Sequence, residues 1–184
     1  MVILETPRLW LRPWEEVDAP DLYRYASDPQ VGPAAGWSAH QSPEESRKVI
    51  REVLSGPEDY AIVPKEVGHP VGSIGLMCGK ASNLDLSPFE AELGYWIGVP
   101  FWGQGLVPEA AQALLRRGFE ELRLEKIWCG YFDGNEKSHR VQEKCGFRYH
   151  HTNPQAGCRI EGVYRVEHVS VLEASAWEAG KSLM

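Results

Sequence analysis

The sequence has 184 residues, a formal net charge of −7 at pH 7 and a pI near 5.4. This acidity argues against nucleic acid as a partner, because domains that bind a phosphate backbone usually carry a basic face. Hydrophobic residues make up 43% of the chain and no linker rich in proline, glycine or serine divides it, so we expect one globular domain over residues 1–184 with its core at about 4–171.

Hydrophobic periodicity and turn residues predict the elements in chain order. They are a strand at 8–14, a helix that ends at Asp28, a long early loop (Val31–Gln41), a helix at 42–54 capped by Ser42, strands at 60–63, 71–76 and 92–97, a helix at 108–122, a strand at 126–131, a helix from Asn135 to Cys145, strands at 147–151 and 164–171, and a loosely held tail at 172–184. The early loop carries Trp37 and His40, and it suits either a lip that covers a substrate or a plain connector.

The amino terminus has no basic segment followed by a long apolar run, and no later stretch approaches about 18 apolar residues. We therefore expect a cytoplasmic protein with no membrane partner. The chain has four widely spaced cysteines, Cys78, Cys129, Cys145 and Cys158. Without a Cys-x-x-Cys spacing they are predicted to be reduced and mostly buried. We predict no metal site, because the neighbouring His150 and His151 would point to opposite faces of a strand.

A strand, a glycine-bearing loop and a helix start follow one another between residues 92 and 110. Gly103 and Gly105 allow a sharp turn and the close approach of an anion, and Pro108 suits the first position of a helix. Such a loop directs free N–H groups and the positive end of a helix dipole at one point, which favours a pyrophosphate site. A loop shaped only for packing is the alternative.

Two better-known phosphate motifs are excluded. Leu106 and Val107 stand where a nucleotide-triphosphate loop requires lysine followed by serine or threonine. The three glycines of a dinucleotide fingerprint are also absent. The strands at 92–97 and 126–131, joined through the loop and helix, are expected to be parallel neighbours with the ligand at their carboxyl ends.

Two motifs taken in order resemble the GNAT superfamily of N-acetyltransferases. The first is the glycine loop at 102–107, and the second, after the next strand, is Asn135 with Ser138, Glu143-Lys144 and Gly146-Phe147. The phrases Glu-Leu-Gly-Tyr-Trp-Ile at 92–97 and Phe-Trp-Gly-Gln-Gly at 101–105 are similar to the ribosomal-protein N-terminal acetyltransferase (RimJ/RimL-type) branch, as is Glu-Thr-Pro-Arg-Leu-Trp-Leu-Arg-Pro at 5–13. The likeness covers residues 4–171. It implies an α+β (mixed α/β) fold with a central, mixed, mostly antiparallel sheet of about six to seven strands, about four helices, and a cofactor cleft between two parallel central strands.

The resemblance also implies a cofactor and its contacts. In the family the glycine loop binds the pyrophosphate of acetyl-CoA, which here means Trp102, Gly103, Gln104, Gly105, Leu106 and Val107. Val107 departs from the glycine or alanine that the family more often has. The pantetheine arm pairs with the backbone at the end of the central strand, here Tyr95, Trp96 and Ile97, where one N–H would polarise the thioester carbonyl. Asn135 matches the asparagine that bonds the arm, although a helix cap alone would explain it.

The same resemblance assigns the proton transfers. Glu92 corresponds to the general base, acting directly or through water, while a strand carboxylate facing solvent is the alternative. Glu90 shares its face and is the second candidate. Many relatives have a tyrosine that acts as the general acid at the position where this chain has Gln142. A glutamine amide cannot deliver a proton. The role of proton donor to the thiolate therefore shifts to Ser138, whose alternative is a packing role.

We expect an acetyl-CoA-dependent N-acetyltransferase (EC 2.3.1.-) that transfers the acetyl group directly in a ternary complex, because no covalent nucleophile motif is present. The acidic stretch at 85–109 suits an amine-bearing small molecule or a peptide or protein N-terminus. The protein is expected to be a monomer or a homodimer. A non-catalytic acyl-CoA-binding or sensor domain is the competing interpretation, favoured by Gln142.

Overall fold

The computed structural model describes residues 2–181, and its strands form one eight-stranded sheet. The strands are β1 Leu4–Glu5, β2 Leu9–Arg12, β3 Asp59–Pro64, β4 Gly72–Cys78, β5 Glu90–Ile97, β6 Lys126–Phe132, β7 Arg148–Gly157 and β8 Tyr164–Glu173. Their order across the sheet is β1-β2-β3-β4-β5-β6-β8-β7. The α-helices are α1 Ala19–Ala26, α2 Pro43–Glu52, α3 Leu106–Arg116, α4 Glu136–Lys144 and α5 Ala174–Lys181.

The sheet separates two hydrophobic clusters, because side chains alternate between the faces of each strand. Leu93 and Ile127 pack on one face with α3, α4 and α5. Ala61 and Val63 pack on the other face with α1 and α2. Ser42 caps α2 as predicted, since its hydroxyl oxygen accepts a hydrogen bond of 3.1 Å from the backbone N–H of Glu45.

The central strands β5 and β6 are the parallel pair, and every other strand pair is antiparallel. Within the described residues their pairing runs only from Glu90 opposite Lys126 to Glu92 opposite Trp128. The carboxyl halves of the two strands then separate and leave a cleft in the middle of the sheet. This arrangement confirms the predicted mixed, mostly antiparallel fold and its central cleft.

The structure has more elements than the sequence predicted. The short strand β1 and the helix α5 were not expected. The predicted tail from residue 172 is wrong over the described part, because Trp177 is only 9% exposed and its ring lies 5.2 Å from that of Phe119. β7 runs well past its predicted end at residue 151 through two register shifts. It tolerates Pro154 because an edge strand does not need every N–H for pairing.

Two local details also differ from prediction. α3 starts at Leu106, so Pro108 is its third residue, a position where a missing N–H still costs nothing because first-turn amides have no helical partner. The cysteines are free as predicted, but burial is uneven. Cys129 and Cys145 are buried, whereas Cys78 is exposed. No helix among residues 2–181 is long and apolar enough to cross a membrane.

Candidate active site

The glycine loop, Trp102–Val107, lies at the carboxyl end of β5 and leads into α3. Gly103 and Gly105 both have φ of +75°, the left-handed region that other residues adopt only with strain. Gly105 occupies the position before the helix, so the free N–H groups of the first turn of α3 lie next to the loop. The local geometry is therefore that of an anion-binding helix start.

The long side chains of the glycine loop brace it instead of projecting outward. The indole N–H of Trp102 donates to the carbonyl of Ile97 at 2.9 Å, and the Gln104 amide donates to the carbonyl of Pro100 at 2.9 Å. Leu106 and Val107 are 5% and 7% exposed and belong to the core. The valine that departs from the family pattern therefore points away from the loop surface and leaves the backbone accessible.

Two cations that the sequence analysis missed lie beside the loop. Arg8 donates to the carbonyl of Gln104 at 2.9 Å and forms an ion pair of 2.6 Å with Glu109. The Lys137 ammonium lies 3.3 Å from the ring centroid of Trp102. Both contacts join segments far apart in sequence, so no local pattern could have indicated them. The Lys137 charge adds to the attraction that the loop exerts on an anion, whereas the charge of Arg8 is balanced by Glu109.

The β5 edge that faces β6 is open where the strands separate. Among the described residues, the stretch from Leu93 to Ile97 has no strand partner on that side, although β4 pairs with its other edge. The Ile97 carbonyl is already bonded to the Trp102 indole. An extended ligand can pair with the remaining backbone groups as an added strand would. The predicted backbone role of Tyr95, Trp96 and Ile97 fits this edge.

Helix α4 places Asn135 and Ser138 against the cleft. The Asn135 side-chain oxygen accepts from the Ser138 N–H at 3.2 Å, which confirms the helix cap, and its NH₂ donates to the Ala34 carbonyl at 3.2 Å. The hydroxyl oxygens of Ser138 and Tyr95 lie 2.9 Å apart. Burial raises the pKa of Tyr95 well above its ordinary value. The tyrosine side chain is thus a second hydroxyl in the cleft, which sequence analysis had treated only as backbone.

Glu92 and Trp96 lie on the opposite face of the sheet from Tyr95, as strand alternation requires. The Glu92 carboxylate accepts a hydrogen bond of 2.5 Å from the Ser82 hydroxyl, and burial raises its pKa. Glu90 shares the face at the amino end of β5, where it accepts from the Trp128 indole N–H at 3.3 Å. Glu92 is therefore nearer than Glu90 to the point where β5 and β6 separate, and its role as the base stays a prediction.

Glu167 is an acidic residue that the sequence analysis missed. It lies on β8 and its carboxylate covers Gly130 of β6, where an added Cβ would collide with it. Burial, and after it the charge of Glu92, raise the pKa of Glu167 to about 7. Asp59 on β3 lies over Gly75 in the same way, and burial raises its pKa as well. Three carboxylates thus face one side of the sheet around glycines that leave them room.

The early loop lies against the end of this face. The Trp37 and Trp96 rings meet edge to face with centroids 5.7 Å apart. A Cβ on Gly36 would collide with the Phe132 ring, and the Gly36 carbonyl accepts from the Arg159 N–H at 2.8 Å. These contacts hold the early loop beside this face of the sheet, and its role as a lip over a substrate stays a prediction. His40 does not take part in the cleft, because it is buried and its Nδ1 lies 2.8 Å from the Ser46 hydroxyl.

Among residues 2–181, no three histidine, cysteine, aspartate or glutamate side chains are grouped so that they could hold a metal ion. The chemical groups that line the cleft are of three kinds. An anion-binding loop lies at its end, hydroxyls of Tyr95 and Ser138 lie on one face, and carboxylates lie on the other. Such a set can bind a phosphorylated cofactor and can donate and accept protons on opposite sides of the sheet.

Comparison with known proteins agrees with this geometry. The model of the GNAT acetyltransferase domain matches residues 8–148. The uncharacterized N-acetyltransferase p20 of Bacillus licheniformis is 33% identical over 132 residues, which are 69% of this chain and 71% of p20. YdaF of Bacillus subtilis, provisionally named a ribosomal N-acetyltransferase, is 36% identical over 110 residues, 58% of this chain and 59% of YdaF.

The fold has solved counterparts as well. The crystal structure of a GNAT-family acetyltransferase from Bacillus anthracis superposes with a TM-score of 0.82, over 95% of this chain and 99% of that one, at 22% identity. This similarity shows a shared fold. Since the domain match covers most of the chain, the protein belongs to the GNAT family of acetyltransferases, with relatives in the ribosomal-protein (RimJ/RimL-type) branch.

Proposed function

We propose that the protein transfers the acetyl group of acetyl-CoA to a primary amine by direct attack in a ternary complex. The observation that carries the proposal is the separation of β5 from β6 after Glu92. It opens one cleft that joins the glycine loop, the Tyr95 and Ser138 hydroxyls and the Glu92 and Glu167 carboxylates. Acetyl-CoA is the acyl donor on which the GNAT family depends, and the residues of the cleft fit it.

Acetyl-CoA would occupy the cleft from the loop inward. The amides of the glycine loop and the start of α3 bind the pyrophosphate, with Lys137 adding positive charge and Arg8 holding the loop through the Gln104 carbonyl. The open edge of β5 at Tyr95–Ile97 pairs with the pantetheine arm, and one N–H there stabilises the oxyanion that forms at the thioester carbon. Asn135 is already fixed as a helix cap, and it contacts the arm from α4.

The chemistry needs two proton transfers on opposite sides of the reacting carbon. On the amine side, Glu92 accepts the proton, directly or through water, while Glu167 faces the same space. The amine nitrogen then forms a C–N bond to the carbonyl carbon, and the C–S bond breaks. On the thiolate side, Ser138 donates a proton to the leaving sulfur, and Tyr95 can resupply it through their 2.9 Å hydrogen bond.

The acceptor side suits an amine. Asp59, Glu92 and Glu167 supply carboxyl groups that can bind the amine or take up its proton, and the rings of Trp37 and Trp96 supply aromatic faces that attract an ammonium. The name of YdaF supports a ribosomal protein as the acceptor. The early loop limits the space above the sheet, which also suits a small amine. Cytoplasmic location and a monomeric or dimeric state stay predictions from sequence.

A thiol-release assay with acetyl-CoA tests the proposal. The acceptors are short peptides with free N-termini, a polyamine and an aminoglycoside, each compared with its N-blocked form. We expect release of CoA that depends on the free amine. Tight acetyl-CoA binding by calorimetry without turnover on any amine would instead support the competing acyl-CoA-binding domain, which Gln142 in place of the family tyrosine favours.

A further inference from the structure

The turn between β1 and β2 lies against the glycine loop, although the two segments are far apart in sequence. Arg8 is the residue of this turn that makes the contact, since its Nη1 donates to the Gln104 carbonyl at 2.9 Å. Its Nη2 lies 3.6 Å from the position that a Cβ on Gly105 would take. The amino-terminal segment therefore braces the loop between its two glycines.

Glu109, in the first turn of α3, fixes the direction of the Arg8 side chain. Its carboxylate accepts hydrogen bonds from the Thr6 hydroxyl at 2.6 Å, the Arg8 backbone N–H at 2.8 Å and Arg8 Nε at 2.6 Å. Burial opposes the charged form, but these bonds outweigh it and lower the pKa of Glu109. The Arg8 side chain, although 51% exposed, is thereby held between the Glu109 carboxylate and the Gln104 carbonyl.

A run of backbone N–H groups in the loop is open to an anion. Among the described residues, none of the N–H groups from Gly103 to Val107 donates to a backbone or side-chain acceptor. A helix start leaves its first amides unpaired, and the loop extends this set towards β5. The direction in which each N–H points therefore decides how well the loop binds a diphosphate.

The peptide between Gln104 and Gly105 can present either its N–H or its carbonyl to an anion. The two groups of a trans peptide point in opposite directions, so rotation of the peptide plane exchanges them. Glycine on both sides, at 103 and 105, makes this rotation easy. Arg8 binds the Gln104 carbonyl and so directs the Gly105 N–H away from itself. In the rotated plane a carbonyl oxygen would instead repel the phosphates.

We propose that Arg8 and Glu109 are positioning residues that hold the glycine loop in the orientation that binds the acetyl-CoA pyrophosphate, an inference that rests on the function proposed above. Glu109 holds Arg8, and Arg8 holds the Gln104 carbonyl. In this role neither side chain touches the reacting atoms. Affinity falls with the fraction of molecules in the binding orientation, so loss of either link weakens binding without slowing the chemical step.

Arg8→Lys tests the link to the loop. Lysine keeps the positive charge beside Glu109, but its single ammonium does not replace the guanidinium fork that reaches both partners. CoA should bind about tenfold more weakly by calorimetry, which corresponds to the loss of one hydrogen bond. KM for acetyl-CoA should rise in parallel, while kcat with an amine that supports thiol release stays within about twofold. Arg51→Lys is the matched control, because Arg51 forms an exposed 3.4 Å ion pair with Glu16.

Glu109→Gln distinguishes positioning from simple attraction by charge. If Arg8 acted on the phosphates through its charge, removal of the balancing carboxylate would strengthen CoA binding, and the gain would fall with added salt. Positioning predicts the opposite sign, because Arg8 is released from its place. CoA binding should weaken by about tenfold relative to the unchanged protein, at low and at high salt alike. Glu16→Gln is the matched control and should bind CoA normally.

The Gly105 amide resonance of the ¹⁵N-labelled full chain reports the loop peptide directly. It should be sharp in the unchanged protein, broadened by exchange in both variants, and sharp again when either variant is saturated with CoA. A merely structural pair would lower the melting temperature without this broadening. If Glu109→Gln does not fold, Arg8→Lys decides through its CoA affinity and its Gly105 resonance.

The inference is overturned, and the proposed function stands, if the unchanged protein binds CoA and the folded variants bind it equally well. Tighter binding by Glu109→Gln, a fall in kcat as large as the fall in affinity, or a Gly105 resonance that is the same in all proteins would also overturn it. If the unchanged protein does not bind CoA at all, the proposed function fails and this inference fails with it.

Discussion

The hydroxyl oxygens of Tyr95 and Ser138 lie 2.9 Å apart and join the end of β5 to the first turn of α4. The contact places two proton-bearing groups at the point where the sheet opens. Because Tyr95 also reaches the Ser138 backbone carbonyl at 3.1 Å, its position is fixed from α4. Gln142, one turn further along the helix, is only 2% exposed. In the proposed mechanism the serine takes the place of the family tyrosine as proton donor.

Ser138→Ala should lower kcat by roughly 10²-fold and leave acetyl-CoA affinity nearly unchanged, because proton donation acts only in the transition state. Tyr95→Phe should lower kcat by less than about tenfold, since it removes only a hydrogen bond that positions the serine. The measurement is kcat under conditions where chemistry limits the rate, with affinity from calorimetry. A larger loss in Tyr95→Phe than in Ser138→Ala would assign the proton to the tyrosine.

Gly105→Val should weaken acetyl-CoA binding strongly, because a branched side chain covers the backbone that the pyrophosphate approaches. Strain at positive φ accompanies this change and costs on the order of 1–2 kcal/mol. Gly68→Val is a matched control, since Gly68 has φ of +77° with nothing within 4 Å of an added Cβ. Calorimetry should show weak binding only for the Gly105 variant. Equal affinity in both variants would remove the glycine loop from the site.

Glu92→Gln should lower turnover by about 10²-fold and weaken its rise with pH, while acetyl-CoA binding stays nearly unchanged. The buried, raised pKa of Glu92 makes it a better proton acceptor than an exposed carboxylate. Glu90→Gln on the same face should have a small effect, because Glu90 is held at the amino end of β5. The reverse order of effects in rate profiles from pH 6 to 9 would make Glu90 the base.

Glu167 should make stability depend on pH. Its pKa is about 7 in the folded protein against an ordinary value of 4.5, so the folded state binds the proton more tightly. Its contribution to stability is present below pH 4.5 and is lost as the pH rises through about 7. Glu167→Gln should therefore gain stability relative to the unchanged protein at pH 8 but not at pH 4.5.

Denaturant unfolding at the two pH values measures this difference. Glu161→Gln removes an exposed carboxylate from the turn between β7 and β8 and serves as its control, with no change of this kind expected. Glu92 contributes to the raised pKa through its charge, so Glu92→Gln should lower the pKa of Glu167. If NMR shows that the Glu167 carboxyl titrates with a pKa near 4.5, both expectations are contradicted.

Local patterns in the sequence were sufficient to predict the central strands, the glycine loop, the cap at Asn135 and the shared face of Glu90 and Glu92. These features depend on residues within a turn or a strand of one another. Glu167 was missed because its position over Gly130 depends on the pairing of β8 with β6, which no local pattern encodes. The contact of Arg8 with Gln104 spans 96 residues and was missed for the same reason.

The central claim is direct transfer of the acetyl group from acetyl-CoA to the amine, and a single-turnover reaction tests it most directly. The reaction contains excess protein, acetyl-CoA with a ¹³C-labelled acetyl group, and an amine that supports thiol release. Mass spectrometry of the amine and of the intact protein follows the label. We expect one labelled acetyl group on the amine for each CoA released and no labelled protein at any time. The Gly105→Val variant should form no product. Label that appears first on the protein, or CoA released with free acetate instead of an acetylated amine, would contradict direct transfer in this cleft.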